Sequence, residues 1–257
     1  MSTNTQAASG TSNAVSTFKR IMLQGRYETL AMIRNGEQLV IAVVLPLMAL
    51  FGLVFTDLLK NVAARPIDAA VPGVLALCVV STAFTGQGIA TGFDRRYGVM
   101  RYLSTTPVGR TGLIYGKVMA VLVVLSMQTI VIGGVGFIMG WQPALGGIAW
   151  AILILILGAA AFTALGLLIA GTVRPEATLA ITNLAWVLLA GVGGILFPST
   201  SVPAFIQPII NVLPSAALGD SLRAALISGT ASGTGILILL AWTLIAGFAA
   251  TRWFKWN

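Results

Sequence analysis

The sequence contains no histidine, a single cysteine and few charged residues. The lack of histidine excludes histidine-ligated metal sites and nucleophiles that depend on a histidine base. The one cysteine, Cys78, cannot form a disulfide within the chain, and it lies in an apolar run where packing is its expected role. Only 9% of the 257 residues are charged, whereas soluble domains carry about 25%. A soluble globular protein is therefore excluded.

Apolar residues dominate the chain instead. They make up 57% of it, the mean hydropathy is +0.95, and six apolar stretches approach the ~20 residues that cross a bilayer as a helix. We predict spans at about 39–55, 71–92, 118–139, 148–171, 179–197 and 235–251. The predicted fold class is an all-α polytopic membrane protein with six transmembrane helices.

The positions of lysine and arginine predict the orientation of these spans. Twelve of the 15 basic residues fall on the side of the N-terminus, and three fall on the other side, namely Lys60, Arg65 and Arg223. Because cytoplasmic loops retain an excess of lysine and arginine, both termini are predicted to be cytoplasmic, in the plasma (inner) membrane. This topology explains the net charge of +8, so no nucleic-acid partner is required.

The N-terminal region divides into a tail and a helix. Residues 1–15 are rich in Ser, Thr, Asn and Ala and predict a disordered cytoplasmic tail, which leaves 16–257 as the transmembrane domain. From Ser16 to Gly36, apolar residues recur every three or four positions and cations fill much of the rest. This pattern favours an amphipathic helix in the inner membrane interface, with a soluble helix that covers another surface as the alternative.

The chain lacks the residues of an enzyme. All seven acidic residues map to span ends or loops, which argues against a buried carboxylate for proton transport or metal-dependent hydrolysis. The segment before Val118 resembles a phosphate loop superficially, but Thr111 stands where the first glycine belongs and Val118 where Ser or Thr is required. Lys117 is interpreted as the inside flank of the third span. We predict no catalytic residue, metal or cofactor in this chain.

Uncharged polar residues do enter the predicted spans. They are Ser81, Thr82, Thr85, Gln87, Ser126, Gln128, Thr129, Thr182 and Asn183. Such groups serve as hydrogen-bonding partners between helices, or they line a substrate path. Four positions, Phe84, Gln87, Asn183 and Trp186, suit an amphipathic drug or lipid, and they suit ordinary packing equally well.

The loop between the second and third spans is too long and too patterned for a simple turn. Val99, Tyr102 and Leu103 share one helical face, while Arg95, Arg96 and Arg101 supply charge. This pattern favours a short amphipathic helix that presses into a groove on a cytoplasmic partner. An interfacial helix without a partner is the alternative.

The outer segment after the fifth span is apolar and is broken by four prolines between residues 198 and 214. Short helices that re-enter the outer leaflet fit this composition, and they would cap an exit from the membrane. Asp220 and Arg223 are three residues apart, so they are placed to pair on one helix face. The predicted outer gate comprises Pro198, Pro203, Pro214, Asp220 and Arg223.

Three segments resemble ABC-2-type exporter permeases. They are the inside loop with Asp94-Arg95-Arg96, Gly98, Leu103, Thr106-Pro107 and Arg110, the stretch from Arg174-Pro175-Glu176 to Asn183, and the outer segment ending in Leu213-Pro214 and Leu222-Arg223. The likeness extends from about residue 16 to the end of the chain and has the character of daunorubicin-resistance-type drug-export permeases. Asp94 is a departure, because relatives often have glutamate there.

This resemblance implies the permease subunit of an ATP-driven exporter that moves an amphipathic drug-like or lipid-like substrate outward. A separate ATP-binding subunit would bind ATP and magnesium and receive the segment from Asp94 to Arg101 as a coupling helix. Two copies, or this chain and a homologue, would form a twelve-span dimer with a path lined by spans one, two and five. The alternatives are an exporter of an envelope lipid or polysaccharide precursor and, in a different class, a passive channel or structural membrane protein.

Overall fold

The computed structural model describes residues 17–60, 62–100 and 109–254. The predicted tail lies outside the described residues, and so do three predicted coupling residues, Arg101, Leu103 and Pro107. For Arg110 only the backbone is described, in a helix. The regular secondary structure of the described residues is entirely helical, which confirms the predicted all-α class.

The helices follow one another with short connections. The first part of the chain contains α1 (Thr17–Arg34), α2 (Gly36–Phe55) and a continuous helical rod made of α3 (Pro66–Val79), a π-helix (Val80–Gly86) and α4 (Gln87–Arg96). The second part contains α5 (Gly109–Ile138), α6 (Ile148–Thr172), α7 (Pro175–Gly191), α8 (Gln207–Val212), α9 (Pro214–Ser228) and α10 (Gly233–Trp253).

Local sequence accounts for several helix ends. Pro66, Pro175 and Pro214 each stand in the first helical position, where the missing N–H costs nothing. The Ser232 hydroxyl accepts a hydrogen bond from the N–H of Gly235 at 3.3 Å and caps the start of α10. Gly229 ends α9 at a φ of 70°, in the left-handed region that glycine adopts without a steric penalty.

Four stretches of the described chain are long and apolar enough to cross a membrane, so the protein is a multi-pass membrane protein. They are Pro66–Arg96, Gly112–Ile138, Leu145–Thr172 and Gly233–Trp253. The first predicted span corresponds to α2, whose apolar part Ala42–Phe55 is shorter. The fifth predicted span, at about 179–197, corresponds to α7, which runs from Pro175 to Gly191. The helix stops at Gly191 because a glycine-rich turn follows it.

The rod Pro66–Arg96 forms the centre of the molecule. Of its most apolar window 89% is buried inside the protein, against 28% for α10. The helices α2, α5, α6 and α9 pack around the rod, and α10 packs on the outer side of α6. The rod and the helices in contact with it therefore form the interior of the bundle.

The described helices meet at two ends. At the end that we call the basic end, the close of α4 contacts the junction of α6 and α7, α1 contacts the start of α5, and Phe254 lies against Gly171. At the opposite end, Arg65 donates to the Gly140 carbonyl at 3.1 Å, and Ala144 donates to the Leu226 carbonyl at 2.9 Å. The rod, α5, α6, α7 and α10 each run between these two ends.

Candidate functional site

The regular helical geometry is interrupted in the middle of the most buried span. Residues Val80–Gly86 form a π-helix between α3 and α4. Short π-helical turns are rare, and they frequently occur at functional sites. From this stretch Ser81, Thr82 and Thr85 line a cavity, so the interruption places hydroxyl groups on its wall.

The cavity has a volume of about 340 Å³ and lies between α2, the π-helix, α5 and α7. Its remaining wall is formed by Met32, Ala42, Leu45, Pro46, Gly86, Ile89, Val124, Asn183 and Trp186. None of the described residues on this wall is charged. An apolar cavity with a few placed polar groups is typical of a site for a small, largely apolar molecule.

Hydrogen bonds connect the helices around this cavity. The indole N–H of Trp186 donates to the Ser81 hydroxyl at 2.7 Å. The Thr82 hydroxyl donates to the Gln128 side-chain oxygen at 3.1 Å, and the Gln128 amide donates to the Ala42 carbonyl at 2.6 Å. Ser81 and Thr82 thus bond between helices and also line the cavity, so the two interpretations of the polar residues are compatible here.

Of the four predicted path residues, the structure brings Asn183 and Trp186 together on the cavity wall. Phe84 is not on this wall, and its ring packs edge-on against Phe162 with 6.2 Å between centroids. Gln87 is buried, and its amide nitrogen donates to the sulfur of Met32 at 3.1 Å. The side-chain oxygen of Gln87 is buried without a hydrogen-bond partner.

The predicted coupling segment does not form one continuous helix. Asp94, Arg95 and Arg96 form the last turn of α4, and Tyr97 and Gly98 form a turn. Gly98 has a φ of 77°, which an α-helix does not accommodate. The prediction of a helix from Asp94 to Arg101 is therefore wrong at this turn. The ring of Tyr97 is 74% exposed at the basic end.

Two of the predicted coupling residues fasten α4 to its neighbours. The guanidinium of Arg95 donates to the carbonyls of Ala170 and Val173 at 2.6 and 3.0 Å, which satisfies acceptors at the end of α6. Arg96 pairs with Glu176 of α7 at 2.9 Å on the surface. The exposed Tyr97 turn consequently projects from a rigid base.

Lys117, which the sequence places at the inside flank of the third span, is buried near the start of α5. Its side chain is 1% exposed, and its ammonium lies 3.0 Å from Glu28 Oε2 and 3.5 Å from Asp94 Oδ2. The Gln24 amide donates to Glu28 Oε1 at 2.9 Å. We call Glu28, Lys117 and Asp94 the ion cluster, which joins α1, α5 and α4.

Two glycines allow α1 to approach α5 this closely. A Cβ atom on Gly116 would lie 2.7 Å from Gln24 Cγ, and one on Gly25 would lie 2.9 Å from Met119 Cε. The spacing of Gln24 and Glu28 on one face of α1 was a signal in the sequence, but nothing adjacent to Lys117 indicates its partners. The predicted amphipathic helix is confirmed as a helix, and its Gln24–Glu28 face packs on protein.

At the opposite end a second buried cation stabilises an irregular backbone. The guanidinium of Arg223 donates to the carbonyls of Gly194, at 3.0 Å, and Ile195. It also pairs with Asp220 at 3.0 Å, which confirms the pairing predicted for these two residues. Asp220 in turn accepts from the backbone N–H of Ser199 at 3.3 Å.

The predicted outer-gate prolines mark the turns of this segment. Pro198 precedes the 3-10 turn Ser199–Ser201, Pro203 lies in the turn before α8, and Pro214 begins α9. Most of α9 is buried, between α3, α6 and α10. Burial lowers the pKa of the Arg223 guanidinium and the Asp220 carboxylate opposes that shift, yet an arginine starts from so high a pKa that it stays charged.

Comparison with known families decides the class of this helical arrangement. A model of the ABC-2 type transporter matches residues 20–227, from α1 almost to the end of α9. This chain belongs to the ABC-2 type transporter family. No match was found among curated proteins.

As an ABC-2 permease, the chain is the membrane component of an ABC transporter. The ABC-2 domain is a transport permease domain and not a nucleotide-binding domain. Permeases of this family normally work with an ATP-binding subunit. In the described part of this ABC-2 permease, polar groups inside the helical bundle are organised at the cavity, at the ion cluster and around Arg223.

Proposed function

We propose that this ABC-2 permease is the membrane-spanning subunit of an ATP-driven exporter that moves an amphipathic drug-like or lipid-like substrate outward. The observation that carries the proposal is the cavity between α2, the π-helix and α7. Its wall is apolar, contains the hydroxyls of Ser81 and Thr85, and has no charge among its described residues. A strongly anionic substrate would find no counter-charge there, whereas an amphipathic molecule would bury its apolar surface.

The proposed topology has six spans, with α2 and α7 as the first and fifth, and both termini in the cytoplasm. In support, the rod, α5, α6 and α7 run in alternating directions between the two ends of the bundle. Arg95, Lys117 and Arg174 lie at the basic end, as the excess of cations on the cytoplasmic side requires. The segment with α8 and α9 would then close the path on the outer side.

The proposed partners are an ATP-binding subunit and a second permease copy or homologue. Arg96 is the last residue of the rod and Tyr97 follows it. Both side chains are exposed at the basic end, which suits a coupling contact. The apolar side chains Met48 of α2 and Leu184 of α7 are both 63% exposed, and they flank the cavity helices. A second permease copy on this face would enclose the path.

Transport of two fluorescent probes tests the substrate path. In inside-out vesicles with ATP, accumulation of daunorubicin and of an NBD-labelled phosphatidylethanolamine is measured for Trp186→Ala. The matched control is Trp150→Ala, which removes a half-exposed indole from the start of α6, outside the cavity wall. We expect Trp186→Ala to lower accumulation of the transported probe about tenfold, and Trp150→Ala to leave it unchanged.

The two probes also separate the alternatives. Transport of daunorubicin supports a drug-like substrate, and transport of the lipid alone supports an envelope-lipid exporter. Equal loss with Trp186→Ala and Trp150→Ala would exclude the cavity as the path. ATP-independent equilibration of the probes would replace the exporter with a passive channel.

Co-purification tests the ATP-binding partner. The affinity-tagged chain is isolated from its host in mild detergent, and the recovery of an ATP-binding subunit and of ATPase activity is measured. Tyr97→Ala is expected to lower recovery of the subunit, while Arg252→Glu, an exposed change elsewhere at the basic end, is expected to retain it. Isolation of the chain alone, without ATPase activity, would contradict the proposed partner.

A further inference from the structure

One residue of α1 reaches the cavity. Met32 lies on the cavity wall, and its sulfur accepts the hydrogen bond from the Gln87 amide at 3.1 Å. Both residues lie on the basic-end side of Ser81 and Thr82, because Gln87 follows the π-helix in the direction of Arg96. The contact between Met32 and Gln87 therefore lies at the side of the cavity that faces the basic end.

The position of Met32 follows from the ion cluster. Gln24, Glu28 and Met32 are spaced four residues apart, so they lie on the same face of α1, in successive turns. On that face Gln24 bonds to Glu28, and Glu28 pairs with Lys117 at 3.0 Å. The ion pair thus joins α1 to α5 one turn before the methionine that lines the cavity.

The cluster is not a uniform set of contacts. The Lys117 side chain is 1% exposed and Glu28 is 10% exposed, whereas Asp94 is 35% exposed and lies farther from the ammonium, at 3.5 Å. Asp94 also stands three residues before the exposed Tyr97 in the last turn of α4. A displacement of the Tyr97 turn would therefore reach the ion cluster through its weakest member.

We propose that Glu28 and Lys117 are positioning residues that hold Met32 over the cavity, so that the ion cluster closes the substrate path at the basic end. Separation of Glu28 from Lys117 frees α1, withdraws Met32 from Gln87 and admits substrate from that side. The inference rests on the proposed function in one respect, namely that the cavity is the substrate path. The buried oxygen of Gln87, which has no partner in the closed arrangement, then becomes available to a donor group on the substrate.

Cysteine labelling measures access to the cavity without any partner subunit. The full chain is placed in lipid nanodiscs with Cys78→Ala, which removes its only cysteine, and with Thr85→Cys on the cavity wall. The rate of modification by N-ethylmaleimide is then measured. Leu244→Cys, which is 70% exposed on α10, reports the concentration of reagent in the membrane and is expected to react at one rate in every variant.

We expect the effect of Glu28→Gln on the labelling rate to depend on Met32. Glu28→Gln and Met32→Ala each raise the Thr85→Cys labelling rate about tenfold, since each converts a minor open state into a major one. The double variant reacts no faster than Met32→Ala alone, because the ion pair acts through the methionine. Asp94→Asn gives a smaller increase, and Met32→Leu keeps the wild-type rate.

A matched control keeps the effect specific. Glu176→Gln removes a carboxylate that pairs with Arg96 at the same end, and it leaves the labelling rate unchanged. The proposal is overturned if Glu28→Gln accelerates labelling equally with and without Met32, or if Met32→Ala leaves the rate unchanged. Should Glu28→Gln fail to give monodisperse protein, Met32→Ala, which removes no charge, and the milder Asp94→Asn decide the matter in the same way.

The labelling experiment tests the closure by Met32 and the transport experiment tests the substrate path, so either can fail without the other. If the labelling rates follow the expected pattern and neither fluorescent probe is transported, the closure by Met32 stands and the proposed substrate is wrong. If Trp186→Ala abolishes transport and Glu28→Gln leaves labelling unchanged, the path stands and the positioning role of the ion cluster is wrong.

Discussion

Among the described residues, each end of this ABC-2 permease buries one cation, and the two cations have different surroundings. Lys117 at the basic end meets two carboxylates that come from two other helices. Arg223 at the opposite end meets one carboxylate from its own helix and two backbone carbonyls from the turn after α7. A compact ammonium suits the first arrangement, and a planar guanidinium that donates in several directions suits the second.

Lys117 connects separate helices, whereas Arg223 satisfies an irregular stretch of backbone. At the basic end the interaction is between ions on separate helices, so it is lost when those helices move apart. At the opposite end Arg223 replaces the hydrogen bonds that the backbone lost when α7 stopped, and backbone carbonyls inside a membrane protein must have partners. The basic end is therefore suited to movement and the opposite end to rigidity.

The largest expected effect is the loss of the Arg223 guanidinium. Arg223→Met removes the donor to the Gly194 and Ile195 carbonyls and the cation that pairs with Asp220, and we expect the free energy of unfolding to fall by about 3–5 kcal/mol. The thermal unfolding midpoint in detergent checks this. Arg65→Met, which removes a half-exposed cation paired with Asp68, is the control and is expected to change the midpoint only slightly.

Neutralising all charged groups at each end distinguishes the two buried cations further. Lys117→Met alone is expected to cost about 3 kcal/mol, because it leaves two carboxylates facing each other, and adding Glu28→Gln and Asp94→Asn is expected to recover most of that loss. Arg223→Met with Asp220→Asn is expected to recover little, because the two carbonyls still lack a donor. Unfolding midpoints measure the recovery of stability. Equal recovery at both ends would refute the distinction between a cation that joins separate helices and a cation that satisfies backbone carbonyls.

A smaller effect is expected from a substitution in the backbone turn whose carbonyls accept hydrogen bonds from Arg223. Gly194 has a φ of 83°, and a Cβ atom there would lie 2.7 Å from Ala216 Cα. Gly194→Ala should therefore destabilise the protein by about 1–3 kcal/mol. Gly134→Ala is a suitable control, since it lies in α5 with no atom near the added methyl group, and should stabilise the protein by about 0.5–1 kcal/mol. Unchanged stability in Gly194→Ala would show that the turn adapts.

The smallest effect is expected from the exposed ion pair beside the ion cluster. Arg96 and Glu176 lie 2.9 Å apart, but both side chains are more than half exposed. Glu176→Gln is therefore expected to lower unfolding free energy by only about 0–1 kcal/mol, and less in high salt. A large loss of stability would mean that this pair, and not the buried ion cluster, holds the basic end together.

Several features of the candidate site were predictable from single segments of sequence. Asn183 and Trp186 were predicted as possible path residues because their side chains suit an amphipathic substrate, and both line the cavity. The Asp220–Arg223 pair followed from a spacing of three on one helix. Gln87 was identified too, but its contact with Met32 joins positions 55 residues apart, which no local pattern encodes.

Other features of the backbone lie beyond what local sequence patterns report. The face shared by Val99, Tyr102 and Leu103 favoured a short amphipathic helix, and the resemblance implied a coupling helix from Asp94 to Arg101, whereas the backbone at Gly98 takes a left-handed conformation that hydrophobic periodicity does not report. The residues stay apolar to about position 197, although α7 ends at Gly191. Hydropathy indicates whether a segment prefers water or an apolar environment, and it does not report the backbone geometry of that segment.

The sequence by itself determined that this protein is a helical membrane protein, because charge is scarce and long apolar stretches must satisfy their backbone hydrogen bonds internally. It also determined the family, through motifs spread along the chain. Only the tertiary structure decided that Lys117 is buried, because its carboxylate partners stand 89 and 23 residues earlier in the chain and meet it only when three helices pack. The same packing formed the cavity, since its wall combines residues from five separate helical segments.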